Sequence, residues 1–77
     1  MDRLFGGNKV KVKEYTDVSR WYDANEVRLG MIEYKLAGFR DNLGDGWEEV
    51  EHKIEDGPNG SKRVVFKRAK YEYRWSL

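Results

Sequence analysis

The sequence has no cysteine, a single histidine, a single proline, and no apolar run long enough for a signal peptide or a membrane span. Each shortage excludes something. Without cysteine there is no disulfide framework, no thiolate metal site and no thiol nucleophile. His52 stands alone, and the carboxylates around it lack ligand spacing, so neither a metal nor an organic cofactor is expected. The chain is also short, at 77 residues, which allows one domain with a thin core and little room for a catalytic cleft. Domains of this size often rely on self-association or a larger partner for stability. The expected location is the cytosol, with no membrane contact, and Met1 leads us to expect a complete small open reading frame.

Charge is plentiful but nearly cancels, at +1 overall. The balance conceals a segregation: residues 1–20 sum to +2, residues 21–60 to −6 and residues 61–77 to +5. The C-terminal stretch is therefore a cationic patch on an almost neutral protein.

Residues 1–8, with Gly6-Gly7, read as a flexible leader. From Asn8 to Thr16, Val10 and Val12 alternate with Lys9, Lys11 and Lys13, the period-two pattern of a half-buried strand with lysines outward. Between Asp23 and Leu43, the residues Leu29, Ile32, Leu36, Phe39 and Leu43 recur at spacings of three and four, which predicts one amphipathic helix. Asp23 and Glu26 form a capping-box pair at its start, and Gly44 suits its end. A helix of about 20 residues is a rod of roughly 30 Å. Gly30 and Gly38 oppose it at about 1 kcal/mol each. Met31 to Leu36 also alternates as a strand would, but the longer stripe and the end signals favour helix with an irregularity at Gly30.

Gly46 to Glu55 places Val50, His52 and Ile54 on one strand face and Trp47, Glu49, Glu51 and Lys53 on the other. Asp56-Gly57-Pro58-Asn59-Gly60-Ser61 is a dense turn signal. The β-branched and aromatic run from Lys62 to Phe66 completes a hairpin. If the first strand neighbours the second, the lysine and glutamate rows pair across the sheet. The expectation is an α+β domain over residues 9–68, β-α-β-β, with a small three-stranded sheet, one long amphipathic helix on one face, and residues 69–77 projecting as an extended aromatic and basic strand.

In order along the chain, Lys9 to Tyr15, the stripe ending in Leu43-Gly44, Gly46-Trp47-Glu48 and Val64-Val65-Phe66-Lys67-Arg68 resemble the domain of unknown function 4177 family. Its members run strand, long amphipathic helix, Gly-Trp-Glu opening a hairpin, and an aromatic-Lys-Arg ending. The resemblance covers roughly residues 9–68. It departs at Glu49, where an apolar residue usually follows, and in the tail after Arg68. It implies a β-α-β-β fold and no activity.

The tail carries the functional expectation. Val65, Tyr71, Tyr73 and Trp75 fall on one side of an extended strand, the aromatic side of a segment longer than its hairpin partner. Such a strand either folds back over its own sheet or joins another chain. The lead reading is a non-catalytic binding module that forms a homo-oligomer or binds a protein partner, in the style of a small phage or mobile-element protein that modulates a host factor. The alternative is an oligomeric module binding a nucleotide or single-stranded nucleic acid. Its candidate residues are Lys62, Arg63, Lys67, Arg68, Lys70 and Arg74, with Arg20 and Trp21 as a second aromatic–cation pair or as a loop anchor under the helix start. Glu48, Glu49, Glu51 and His52 read as a solvated strand face, and no catalytic residue is assigned.

Overall fold

The computed structural model describes residues 8–74. The leader expected at 1–8, apart from Asn8, and the Trp75 position lie outside the described residues. The order is β1 (Asn8–Val18), α1 (Ala24–Arg28), α2 (Met31–Asp41), β2 (Trp47–Asp56) and β3 (Lys62–Arg74). The fold is α+β, a three-stranded antiparallel sheet in the order β1-β3-β2 with the helical segment inserted between β1 and β2.

β3 therefore separates β1 from β2, so the condition under which the lysine and glutamate rows would pair as neighbours is not met. The cause is the tight turn after β2. Gly57 N–H donates to Ser61 O at 2.8 Å, and Asn59 and Gly60 take φ of 57° and 77°, so β3 folds directly back along β2. Its other edge then receives β1 from Asn8↔Arg74 to Val18↔Val65. Beyond β1 the loop stays in register. Ser19 N–H donates to Val64 O at 2.9 Å, and the buried Ser19 hydroxyl accepts from Val64 N–H at 2.9 Å.

Both edge strands carry a one-residue bulge. On β1 it lies between Lys11 and Lys13, and on β2 between Glu49 and Glu51. Each inserted residue reverses the inward–outward alternation beyond it. Lys13 consequently shares a face with Lys70, whereas Lys9 and Lys11 share the opposite face with Tyr73 and Tyr71. On β2 the bulge splits the expected acidic row. Trp47 and Glu49 oppose Lys70 and Arg68, while Glu51 and Lys53 oppose Lys67 and Val65 on the other side. His52 and Ile54 oppose Phe66 and Val64, but Val50 is the inserted residue and does not extend their row.

The long helix divides at Leu29-Gly30. The Asp23–Glu26 capping box forms, with Glu26 N–H donating to Asp23 Oδ1 at 2.8 Å and Asp23 N–H donating to Glu26 Oε1 at 3.1 Å. Gly30 then takes φ 88°, a left-handed conformation that suits glycine and stops α1 after five residues. Leu29 thereby leaves the expected stripe and is 70% exposed. Val27 and Met31 take its place beside Leu36, Phe39 and Leu43 around the buried Tyr22, Ile32, Val64 and Phe66. Phe39 stacks on Phe66 with ring centroids 5.4 Å apart and planes 19° apart. This core occupies one face of the sheet, and no described helix packs on the other. No described helix is long and apolar enough to cross a membrane.

Candidate interaction surface

Val65, Tyr71 and Tyr73 lie on the face of β3 that the helices leave uncovered, at alternate positions from Val64 and Phe66. Val65 and Tyr71 are half-buried and Tyr73 is 70% exposed. Above Tyr71 the Lys9 ammonium stands 4.5 Å from the ring centroid and 2.6 Å from Glu48 Oε2. This ion pair crosses β3 to link the two outer strands, and Glu48 raises the Lys9 ammonium above its ordinary range. Ala69, between Glu14 and Glu48 in register, is fully buried beneath these side chains. Around Val65 the same face holds a shallow depression of about 180 Å³ bordered by Thr16, Glu51, His52, Lys53 and Lys67.

The end of β3 differs from the rest. Tyr71 N–H donates to Gly46 O at 2.9 Å, on the side occupied by β2. Strand alternation turns the Tyr73 N–H and C=O to that same side, and β2 starts at Trp47 opposite Lys70, so it does not reach them. Residues Tyr71 to Arg74 are nonetheless paired along their whole length with β1, from Lys11 to Asn8. Up to Arg74 the tail projects past β2 as one strand of a two-stranded ribbon, with one edge paired to β1 and the other unpaired among the described residues.

The basic candidates are mostly engaged by carboxylates of the same chain. Lys62 pairs with Asp56, Arg63 Nε with Glu55 Oε1 at 2.7 Å, Lys67 with Glu51 at 3.3 Å, and Arg74 with Glu72 at 3.7 Å. Arg68 has the most partners. Its Nε lies 3.1 Å from Asp17 Oδ2, its Nη1 donates to Leu43 O at 3.3 Å, and its guanidinium sits 5.2 Å from the Tyr15 ring and 4.8 Å from the Trp47 ring. It ties all three strands to the carbonyl end beyond α2. Lys70 has no ion-pair partner among the described residues.

Arg20 and Trp21 form a separate corner. Arg20 donates to both Glu26 oxygens, at 3.1 and 2.7 Å, and covers the Tyr22 ring at 4.1 Å. That fork, together with the Asp23 N–H, holds the Glu26 carboxyl down to about 2. Trp21 lies against Gly57 and under the Arg63 guanidinium, 4.4 Å from its ring centroid. The pair anchors the loop to the β2–β3 turn, far along the sheet from Tyr73.

His52 Nδ1 contacts Glu49 Oε2 at 2.7 Å, and Arg40 Nε donates to Glu49 Oε1 at 2.6 Å. Arg40 first, then His52, hold the Glu49 carboxyl down to about 2. This is an exposed cross-element tie from α2 to β2, and among the described residues no group of three or more His, Cys, Asp or Glu is placed to hold a metal ion. The sequence reading missed Tyr15 and Trp47 as the aromatic walls around Arg68, and Lys13 opposite Lys70. All three depend on the bulges, which leave no pattern in the residues themselves. Compared with protein-family models, with curated proteins and with solved structures, the chain finds no match in any of the three.

Proposed function

We propose that the chain is a non-catalytic binding module that works by strand addition at the open edge of β3, with a second copy of itself as the partner. The observation that carries this reading is Tyr73: 70% exposed, with its N–H and C=O directed past the start of β2. The charges beside it support a second copy. An antiparallel copy centred on Tyr73 sets Glu72 against Arg74 of the second copy and Arg74 against its Glu72, a self-complementary arrangement suited to two-fold symmetry. Anion binding by the tail arginines and lysines has less support, because Lys62, Arg63, Lys67, Arg68 and Arg74 already face carboxylates.

The test is the mass in solution at micromolar concentration of the wild-type chain, Tyr73→Ala and Tyr73→Pro. Because the Tyr73 N–H points away from β1, proline there removes no bond between β1 and β3 yet blocks strand addition. The expected result is a dimer for the wild type and a monomer for Tyr73→Pro with nearly unchanged melting temperature. A monomeric wild type, or a Tyr73→Pro dimer as tight as the wild type, overturns the reading.

A further inference from the structure

Every lysine and arginine on the three strands faces a carboxylate among the described residues, with two exceptions, Lys13 and Lys70. Those two stand directly opposite each other in the β1–β3 register. Like charges at directly opposed positions destabilise a sheet, and nothing in the hairpin requires the juxtaposition. It arises from the bulge beside Val12, which rotates Lys13 away from the face of Lys9 and Lys11 onto that of Lys70. The carboxylates nearest on this face are occupied: Asp17 by Arg68, Glu49 by Arg40 and Glu72 by Arg74. Two lysines thus occupy opposed positions of the sheet with no carboxylate partner among the described residues.

Their surroundings are aromatic. Trp47 opposes Lys70 on the β2 side, and Tyr15 is the next residue of β1 on the Lys13 face. Both rings are held in place by the Arg68 guanidinium between them, at 5.2 and 4.8 Å, while Tyr15 stays 57% exposed. The Lys70 stem runs along Gly46 on the β2 side, where a Cβ would sit 3.8 Å from its Cε and 3.9 Å from its Cγ. Two cations at directly opposed strand positions, without a carboxylate among the described residues and next to an exposed ring, match a ligand carrying a phosphate and a planar base. We propose that Lys13 and Lys70 form a phosphate-binding pair for a nucleotide, free or within a single strand, with the base against Tyr15. This site is independent of the Tyr73 edge.

The test titrates the full chain at low salt with inorganic phosphate, AMP and a ten-residue oligothymidylate. Backbone amide shifts locate the site and calorimetry measures affinity. The expected result is shifts centred on Lys13, Tyr15, Trp47 and Lys70, with AMP binding more tightly than phosphate. Lys13→Gln and Lys70→Gln should each weaken AMP about tenfold, and Lys53→Gln should change nothing, as one lost phosphate contact at a defined place predicts. Tyr15→Ala should abolish the preference for AMP over phosphate. Tighter binding of the oligonucleotide than of AMP identifies the strand as the source, and the reverse order the free nucleotide. Without ligand, Lys70→Gln should be at least as stable as the wild type, because it relieves a repulsion. No amide shift at millimolar AMP, or equal weakening by Lys53→Gln, overturns the proposal. So does loss of stability in Lys70→Gln, which would give the lysine a structural role.

Discussion

Gly57→Ala should destabilise the protein although its backbone suits alanine. Gly57 has φ −114° and ψ −170°, extended values open to any residue. The constraint is space. A Cβ at this position would lie 2.5 Å from Ser61 Oγ and 2.8 and 3.0 Å from Cζ3 and Cε3 of Trp21. Two groups must move. The Ser61 hydroxyl, which donates to Pro58 O at 2.7 Å, would rotate and forfeit about 1 kcal/mol. The Trp21 ring would swing outward from the Arg63 guanidinium 4.4 Å from its centroid, an interaction worth about 0.5–1 kcal/mol at an exposed site. Trp21 is already 41% exposed, so it can yield, which keeps the total within the usual overpacking cost of about 1–3 kcal/mol. In a Trp21→Ala background only the Ser61 contribution remains, and the same glycine substitution should cost about 1 kcal/mol. Gly38→Ala is the control. Beyond its chain neighbours and the backbone of its own helix, nothing lies within 4 Å of its Cβ position inside α2, so it should stabilise by up to about 1 kcal/mol. Urea midpoints measure the wild type, Trp21→Ala and the three glycine variants, and in thermal melts each kcal/mol moves Tm by about 4–8 °C. The reasoning is refuted if Gly57→Ala is as stable as the wild type, or if its cost is undiminished in Trp21→Ala.

Two further outcomes follow from burial and charge. Phe66→Ala removes a fully buried ring stacked on Phe39 and should cost about 3–5 kcal/mol, whereas Leu29→Ala should stay within about 0.5 kcal/mol in the same denaturation assay; comparable costs would return Leu29 to the core. For Glu49, the carboxyl is lowered in the folded state from 4.5 to about 2, so its contribution to stability is complete above pH 4.5 and disappears as pH falls through about 2. A carbon-detected carboxyl titration should find that low midpoint, and Arg40→Met should raise it; a midpoint near the ordinary value in the wild type would contradict the Arg40–Glu49 tie.

Local chemistry was the legible part of this sequence. The Asp23–Glu26 box, the Asn59-Gly60 turn and the alternation of Tyr71 with Tyr73 each involve residues within a few positions of one another, and each is in place. Leu29 shows where such reasoning stops. Its spacing to Ile32 is helical, but Gly30 permits a left-handed break, and the core is better filled by Val27 and Met31 on either side. The strand faces failed at single residues for a related reason. A bulge is selected by how two strands meet across many positions, so Lys13 and Glu49 changed faces with no signal near them. Partner choice among charges was equally hidden. The glutamate row would have met the lysines of β1 had β1 and β2 been neighbours, yet Glu49 meets Arg40 of α2 and Glu51 meets Lys67 of β3. With the charges so redistributed, the cationic tail seen in the sequence shrinks to one lysine without a carboxylate among the described residues, and that lysine stands opposite another in the register.

The strand order also has a consequence for synthesis. β1 and β2 each pair only with β3, which is the last of the three to be made. A growing chain that has reached Ser61 therefore possesses both outer strands, the helices and the turn, but not one rung of the sheet, nor Val64 and Phe66 for the helices to rest on. The sheet must wait for β3, and β1 is then recruited across a sequence separation of more than 40 residues at Val18–Val65, a non-local pairing that is slow to form. Ribosome-bound chains halted before Lys62 should be digested rapidly by protease, and resistance should arise abruptly once β3 has emerged.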